Sequence, residues 1–143
     1  MRPVAAILSG ERLHLQHGPI DLIIGVDGGR EEAFAAALAR FDTVLQELVE
    51  ELPLLRAPLL PGTPHPSGAI AGRMDKACRP FAAEFVTRMA AVAGGVADEV
   101  LGALLKGASL QRAHVNNGGD VAVFLSEHLK FSSAMISCDG REW

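Results

Sequence analysis

The segment Val115-Asn116-Asn117-Gly118-Gly119-Asp120-Val121 places two amides, two glycines and a carboxylate in five consecutive positions. Consecutive glycines let a tight backbone turn present N–H groups to an anion, and a phosphate or pyrophosphate is the natural ligand of such a turn. Asn116, Asn117 and Asp120 would supply the flanking polar contacts. The same residues also spell a type I′ hairpin turn, for which Asn-Gly is the strongest short-range signal. The motif alone leaves both readings open.

Other residues able to do chemistry are scattered. Arg73 and Lys76, with Asp75 between them, would either donate to a phosphate, the arginine in bidentate fashion, or form a surface ion-pair pattern. Asp98 interrupts an apolar stretch and must face solvent, meet a partner or hold a site. With Glu99 and Lys106 it reads as one polar stripe of a helix. His14 and His17 are three apart, but on a strand they point to opposite faces, so they read as strand and turn residues rather than metal ligands. His65 sits in a proline-rich segment as a solvated loop histidine. Cys78 has Arg73 and Arg79 nearby but no His or acid at a catalytic spacing, which predicts a buried, inert thiol.

The elements that must position these residues follow from periodicity. Residues 12–16 alternate polar and apolar, His17-Gly18-Pro19 breaks the run, and residues 20–26 resume it, which predicts a β-hairpin. Phe34, Leu38, Phe41, Leu45, Leu48 and Leu52 are spaced by three and four, predicting a helix over 31–52 that stops at Pro53. Pro58, Pro61, Pro64 and Pro66 predict an exposed, stiff loop from 53 to 68 with neither helix nor ladder. A short helix over 69–78, closed by Pro80, and an alanine-rich helix over 89–106, stopped at Gly107, come next. Residues 112–116 and 121–125 are β-rich on either side of the glycine turn, and 134–138 reads as a last weak strand. Helices segregated from hairpin-linked strands predict an α+β fold, an antiparallel sheet with helices packed on one face. The segment Asp139-Gly140-Arg141-Glu142-Trp143 brings no cap or closing element, so the sheet is expected to be incomplete at its carboxyl end.

Two of these segments carry a specific resemblance. Met89-Ala90-Ala91-Val92-Ala93-Gly94-Gly95-Val96-Ala97-Asp98-Glu99-Val100, followed by Asn116-Asn117-Gly118-Gly119-Asp120 and its strand, resembles the ApbE-like superfamily. There a glycine- and alanine-rich helix leads through a short strand to an Asn-x-Gly-Gly-Asp turn. Within it, Leu13-His14-Leu15-Gln16-His17-Gly18-Pro19-Ile20-Asp21, Arg73-Met74 and Ala97-Asp98-Glu99 resemble the UPF0280 branch, and the likeness covers nearly the whole chain as an amino-terminal portion. The resemblance implies a T-fold-like architecture with internal duplication. It also implies a flavin nucleotide, FAD or FMN, as ligand, and, for the ApbE enzymes, Mg²⁺-dependent transfer of FMN from FAD to a protein threonine. Asn116, Asn117, Gly118, Gly119 and Asp120 would approach the phosphate, with Met89, Ala90 and Asp98 on the helix beside it. The family's metal-binding Asp and Thr lie beyond the glycine turn, so the Mg²⁺ site is expected to be incomplete here. Two alternatives accompany this reading: an accessory role in sulfur assimilation into homocysteine, also implied by the resemblance, and a non-catalytic half-domain that works through protein–protein association or homo-oligomerisation.

Composition bounds the rest. The 143 residues, 49% apolar, suffice for a single domain spanning 1–143 with one core. Thirteen basic against seventeen acidic residues, a net charge of -4, no Lys/Arg cluster and no tyrosine argue against nucleic acid as a partner. Asp98 and Glu99 in the middle of the most apolar stretch argue against a membrane span. Cys78 and Cys138, far apart and outside any CxxC pair, fit a reducing cytoplasm as free thiols, and the apolar run at the amino terminus is shorter than an export signal needs.

Overall fold

A computed structural model describes residues 1–133 of the chain. Strand alternation organises it. In β2 (Arg12–His17) the residues Leu13, Leu15 and His17 are buried while their neighbours are not, and β3 (Ile20–Gly28) pairs with it antiparallel, Leu13 opposite Ile24 and Leu15 opposite Leu22. β4 (Leu110–Asn117) sets Val115 opposite Ile24, and β5 (Asp120–Leu125) sets Ala122 opposite Val115. One sheet face is therefore apolar across four strands. With β1 (Val4–Leu8) on its far edge, the sheet has five antiparallel strands in the order β1-β2-β3-β4-β5.

Two helices close over that face. In α1 (Arg30–Glu50) the buried residues Ala33, Phe34, Ala37, Phe41, Val44 and Leu48 fall at helical spacing, and in α4 (Val92–Gly107) Val96, Ala97, Val100, Leu101 and Leu104 do the same. These side chains and the inner sheet face form one core. The α+β expectation, an antiparallel sheet with helices on one side, is met. At Gly107 the helices approach so closely that a Cβ would run into the side chain of Ala36. Gly107→Ala is therefore expected to destabilise the fold by about 1–3 kcal/mol, the usual effect of overpacking, seen as a lower urea midpoint at unchanged m-value.

Two expectations are corrected, and one strand is added. The helix over 31–52 does not stop at Pro53: α1 ends at Glu50, and Pro53 enters a new short helix, α2 (Leu52–Arg56), in its first turn, where a missing N–H does no harm. The segment from 53 to 68 is not simply an exposed loop either. It contains α2, buries Leu55 and Leu59, and forms a bridge between Pro58 and Thr87. β1 had no counterpart in the sequence reading, because as an edge strand it buries none of its residues and so carries no alternation. The helix α3 (Ala69–Cys78) is where the pattern placed it, followed by a 3-10 turn at Arg79–Phe81, and a second 3-10 turn, Arg88–Ala91, leads into α4. The strand expected over 134–138 and Cys138 lie outside the described residues. No helix among the described residues is long and apolar enough to cross a membrane.

Candidate functional site

The glycine segment is a two-residue hairpin turn. Asn117 pairs with Asp120 at the end of the β4–β5 ladder, leaving Gly118 and Gly119 as the central residues with φ of +60° and +103°. Positive φ at both positions is the type I′ requirement, and glycine meets it without strain. The Gly119 N–H donates to Asn116 Oδ1 at 2.9 Å, so the asparagine side chain fastens the turn. Asn117 points to the helix side instead, and its Nδ2 donates to the Ala93 carbonyl of α4 at 3.2 Å. This single bond ties the turn to the start of α4.

Two cavities flank that start. The first, of about 260 Å³, is bounded by Arg73 and Ala77 of α3, by Ala90, Ala91, Gly94, Gly95 and Asp98, and by Asp120 from the turn. Its floor is small-residue backbone, and a Cβ added at Gly94 would meet nothing within 4 Å. Asp98 and Asp120 are exposed carboxylates at its rim. The second, of about 580 Å³, is an apolar groove lined by Ile20, Leu45, Leu48, Leu52, Met89, Val92 and Val96 among others, with Arg56 and Asn117 as its polar members. Ala90, Asp98 and Asp120 thus share the cleft, while Met89 and Asn117 belong to the groove. Gly118 and Gly119 form the turn, and Asn116 lines neither cavity.

Arg73 is held in place at the cleft by a chain of ion pairs. Its Nε donates to Glu99 Oε2 at 3.0 Å, Arg40 Nε donates to Glu99 Oε1 at 3.1 Å, and Arg40 forks onto both oxygens of Glu47 at 2.8 Å. Burial alone would raise the Glu99 carboxyl, but the bonds from Arg73 and Arg40 outweigh it and hold the group below its ordinary range. Glu99 is therefore not part of a solvated stripe with Asp98 and Lys106, as its spacing suggested; it turns inward between α1 and α3.

The remaining candidates do other work. His14 pairs with Asp21 at 2.7 Å, whereas His17 is buried with its ring edge-on to Phe41, so the two imidazoles do face opposite sides of the sheet. Cys78 is buried, and that burial pushes its thiol up, away from reactivity. Asp75, beside Arg73 and Lys76 in sequence, is buried too. It accepts bonds from Arg79 Nε and Nη2 at 2.9 and 2.7 Å, from Arg88 Nε at 2.6 Å and from His65 Nδ1 at 2.9 Å. The Arg79 bonds hold its carboxyl far below the usual range against the opposing effect of burial, with Arg88 and His65 adding to the shift. Arg88 is fully buried and also donates to the carbonyls of Leu54 at 3.1 Å and Pro64 at 2.6 Å. Sequence reasoning missed it, since a charged side chain reads as surface and its acceptors are spread over three distant segments.

Among the described residues no group of three or more His, Cys, Asp or Glu side chains is arranged to hold a metal ion. No curated protein and no solved structure matches the chain. The family described as AbpE bacteria matches it over residues 5–142.

Proposed function

We propose that this chain, which belongs to the AbpE bacteria family, binds a flavin nucleotide as an ApbE-like protein nearest the UPF0280 branch, and transfers FMN from FAD to a hydroxyl acceptor, the new phosphoester forming as the pyrophosphate bond breaks and AMP and the hydroxyl proton leave. The observation that carries this reading is the pairing of a polar cleft with an apolar groove on the two sides of one helix start. A flavin nucleotide has the matching halves. The groove's 580 Å³ lies within the roughly 300–1,000 Å³ usual for small-molecule pockets, and its apolar lining with Asn117 and Arg56 at the edge suits a flat heteroaromatic ring. The cleft suits the phosphates: Gly94, where even a Cβ would meet nothing within 4 Å, permits close approach to the backbone. Arg73 supplies the cation.

Asp98 and Asp120 would repel a bare pyrophosphate. Mg²⁺ commonly binds through one or two carboxylates plus substrate phosphates, and these two side chains fit that mode, whereas a cage made of protein ligands alone does not fit the described residues. When bound, the ion would neutralise phosphate charge. The chain's own contribution is to hold the ring and phosphates in one orientation and to place Arg73, fixed by Glu99, against the phosphate at which the pyrophosphate bond breaks.

Titration with FAD, with and without Mg²⁺, followed by flavin fluorescence, tests the reading. Saturable binding is expected for the wild type with Mg²⁺, weakened roughly tenfold or more in Asn117→Ala and Asp120→Ala, in line with loss of one hydrogen bond or metal contact, whereas without Mg²⁺ Asp120→Ala should not weaken it. Absence of saturable binding in the wild type would sink the proposal. A second reading, association through the sheet, has its own support: among the described residues β1 and β5 are the edge strands, and Val4, Val121 and Val123 are each more than half exposed. Concentration-dependent mass in solution distinguishes it.

A further inference from the structure

At the opposite end of the strands from the glycine turn, three guanidinium groups converge on a second polar cleft. Arg12 of β2, Arg30 at the start of α1 and Arg112 of β4 line a cavity of about 260 Å³, together with Glu11, Asp27 and His114. Arg112 and Asn117 are five residues apart on β4, so this cleft is on the order of 17 Å from the turn at the ordinary strand rise. The two sites share none of their lining residues.

The charges in this cleft do not cancel, and its donors are not all used. Glu11 pairs with Arg30 Nη1 at 3.0 Å and Asp27 lies 3.2 Å from Arg112 Nε, leaving one guanidinium in excess. The Arg112 Nε–H does not point along its line to Asp27, so that contact is Coulombic and not a hydrogen bond. The Nε atoms of both Arg30 and Arg112 are shut away from water without an acceptor among the described residues. The part of each side chain open to a ligand is its guanidinium end: Arg30 and Arg112 are each 40% exposed, so their Nη groups and not the enclosed Nε atoms are the donors able to reach one, although Arg112 Nη1 already donates to the Lys130 carbonyl at 3.0 Å.

The cleft's wall is also firm. The His114 ring lies over Gly25, where any Cβ would collide with it, and Phe131 packs edge-on against that ring at 6.1 Å. Burial pushes the imidazole pKa down, Arg12 pushes it further and Asp27 opposes, so at neutral pH His114 adds no charge. What remains is a pocket with spare guanidinium donors and a net positive charge, smaller than the roughly 300–1,000 Å³ that drug-sized ligands occupy. We propose that this cleft binds a compact tetrahedral oxyanion, either free phosphate or the phosphate end of a small monoester, through Arg12, Arg30 and Arg112. It is a site separate from the flavin site, and its occupancy does not depend on that reading.

Calorimetric titration of the full chain with inorganic phosphate and with glycerol phosphate, against sodium chloride at matched ionic strength, tests this. Saturable binding of at least one phosphate species is expected, with the tighter one naming the source. Arg30→Gln and Arg112→Gln should each weaken it roughly tenfold, the effect of one charge-assisted hydrogen bond, while Lys106→Gln, which removes a charge from an exposed position lining neither cleft, leaves it unchanged. Should Arg112→Gln fail to fold, Arg30→Gln, at the partly exposed first residue of α1, carries the test by itself. Heats no different from chloride, or binding that survives Arg30→Gln undiminished, would overturn the proposal.

Discussion

Arg88→Ala is expected to destabilise the fold by about 3–5 kcal/mol, the range for removing one partner of a buried ion pair. That is a large part of the 5–15 kcal/mol that holds a typical domain together. The reason is local. Arg88 has no exposed surface, and its loss leaves the carbonyls of Leu54 and Pro64 without their donor in the interior and takes from the buried Asp75 carboxylate one of its two arginine partners, Arg79 remaining. Arg88→Lys should rescue little, because an ammonium cannot reproduce the planar fork that reaches three acceptors in different directions. Urea denaturation measures the loss. The acid limb of the stability curve gives a second readout of the same network. Asp75 has a folded pKa below its unfolded value near 4, so its contribution is complete above about pH 4 and is lost as pH falls through the lower folded value. Arg88→Ala removes part of that depression and should flatten the acid limb; an unchanged limb would show that Arg79 alone sets it.

Gly94→Leu is expected to abolish flavin binding while leaving the protein as stable as before or more so. The position faces open space inside the polar cleft, so a leucine fills the room that the proposed phosphates would occupy without touching the core. Glycine is less favourable than alanine inside a helix by about 0.8–1 kcal/mol, and leucine is nearly as good as alanine, so the backbone gains. Gly102 supplies the control. It sits on the same helix, also with nothing within 4 Å, but lines neither the cleft nor the groove. Gly102→Leu should raise the melting temperature comparably and keep FAD affinity. If both variants bind FAD like the wild type, the phosphates do not lie in this cleft.

What could be read from the sequence depended on whether the signal was periodic. The β2–β3 hairpin announced itself by alternation, and α1 by apolar residues at spacings of three and four, because in both the buried face is contiguous in sequence. The glycine turn was legible for the same reason: two positive φ values in a row demand Gly118 and Gly119. Position within a helix was harder. Pro53 read as a stop, yet a proline in a first turn is as good a beginning as an end. The candidate site was half legible. Asn117, Asp98 and Asp120 were flagged by their types, but the apolar groove gathers Leu45, Leu52 and Ile20 from three elements, and nothing in their local sequence distinguishes a groove wall from a core residue. Arg88 and the cleft formed by Arg12, Arg30 and Arg112 were invisible, since tertiary structure alone decides which charged side chains meet.

The pairing of β3 with β4 has a bearing on how the molecule is assembled. β1 to β3 form a local meander and β4–β5 a local hairpin, but the ladder that joins them sets Gly28 against Leu110, so every helix among the described residues lies on the excursion between its two sides. Closing so long an excursion is entropically unfavourable, though the penalty grows only slowly with length. Early packing of α1 on α4 would shorten the search by bringing the two ends together before any central hydrogen bond forms. The tight seat at Gly107 would then govern the rate of assembly as well as the final stability, with the helical layer serving as a template on which the two halves of the sheet meet.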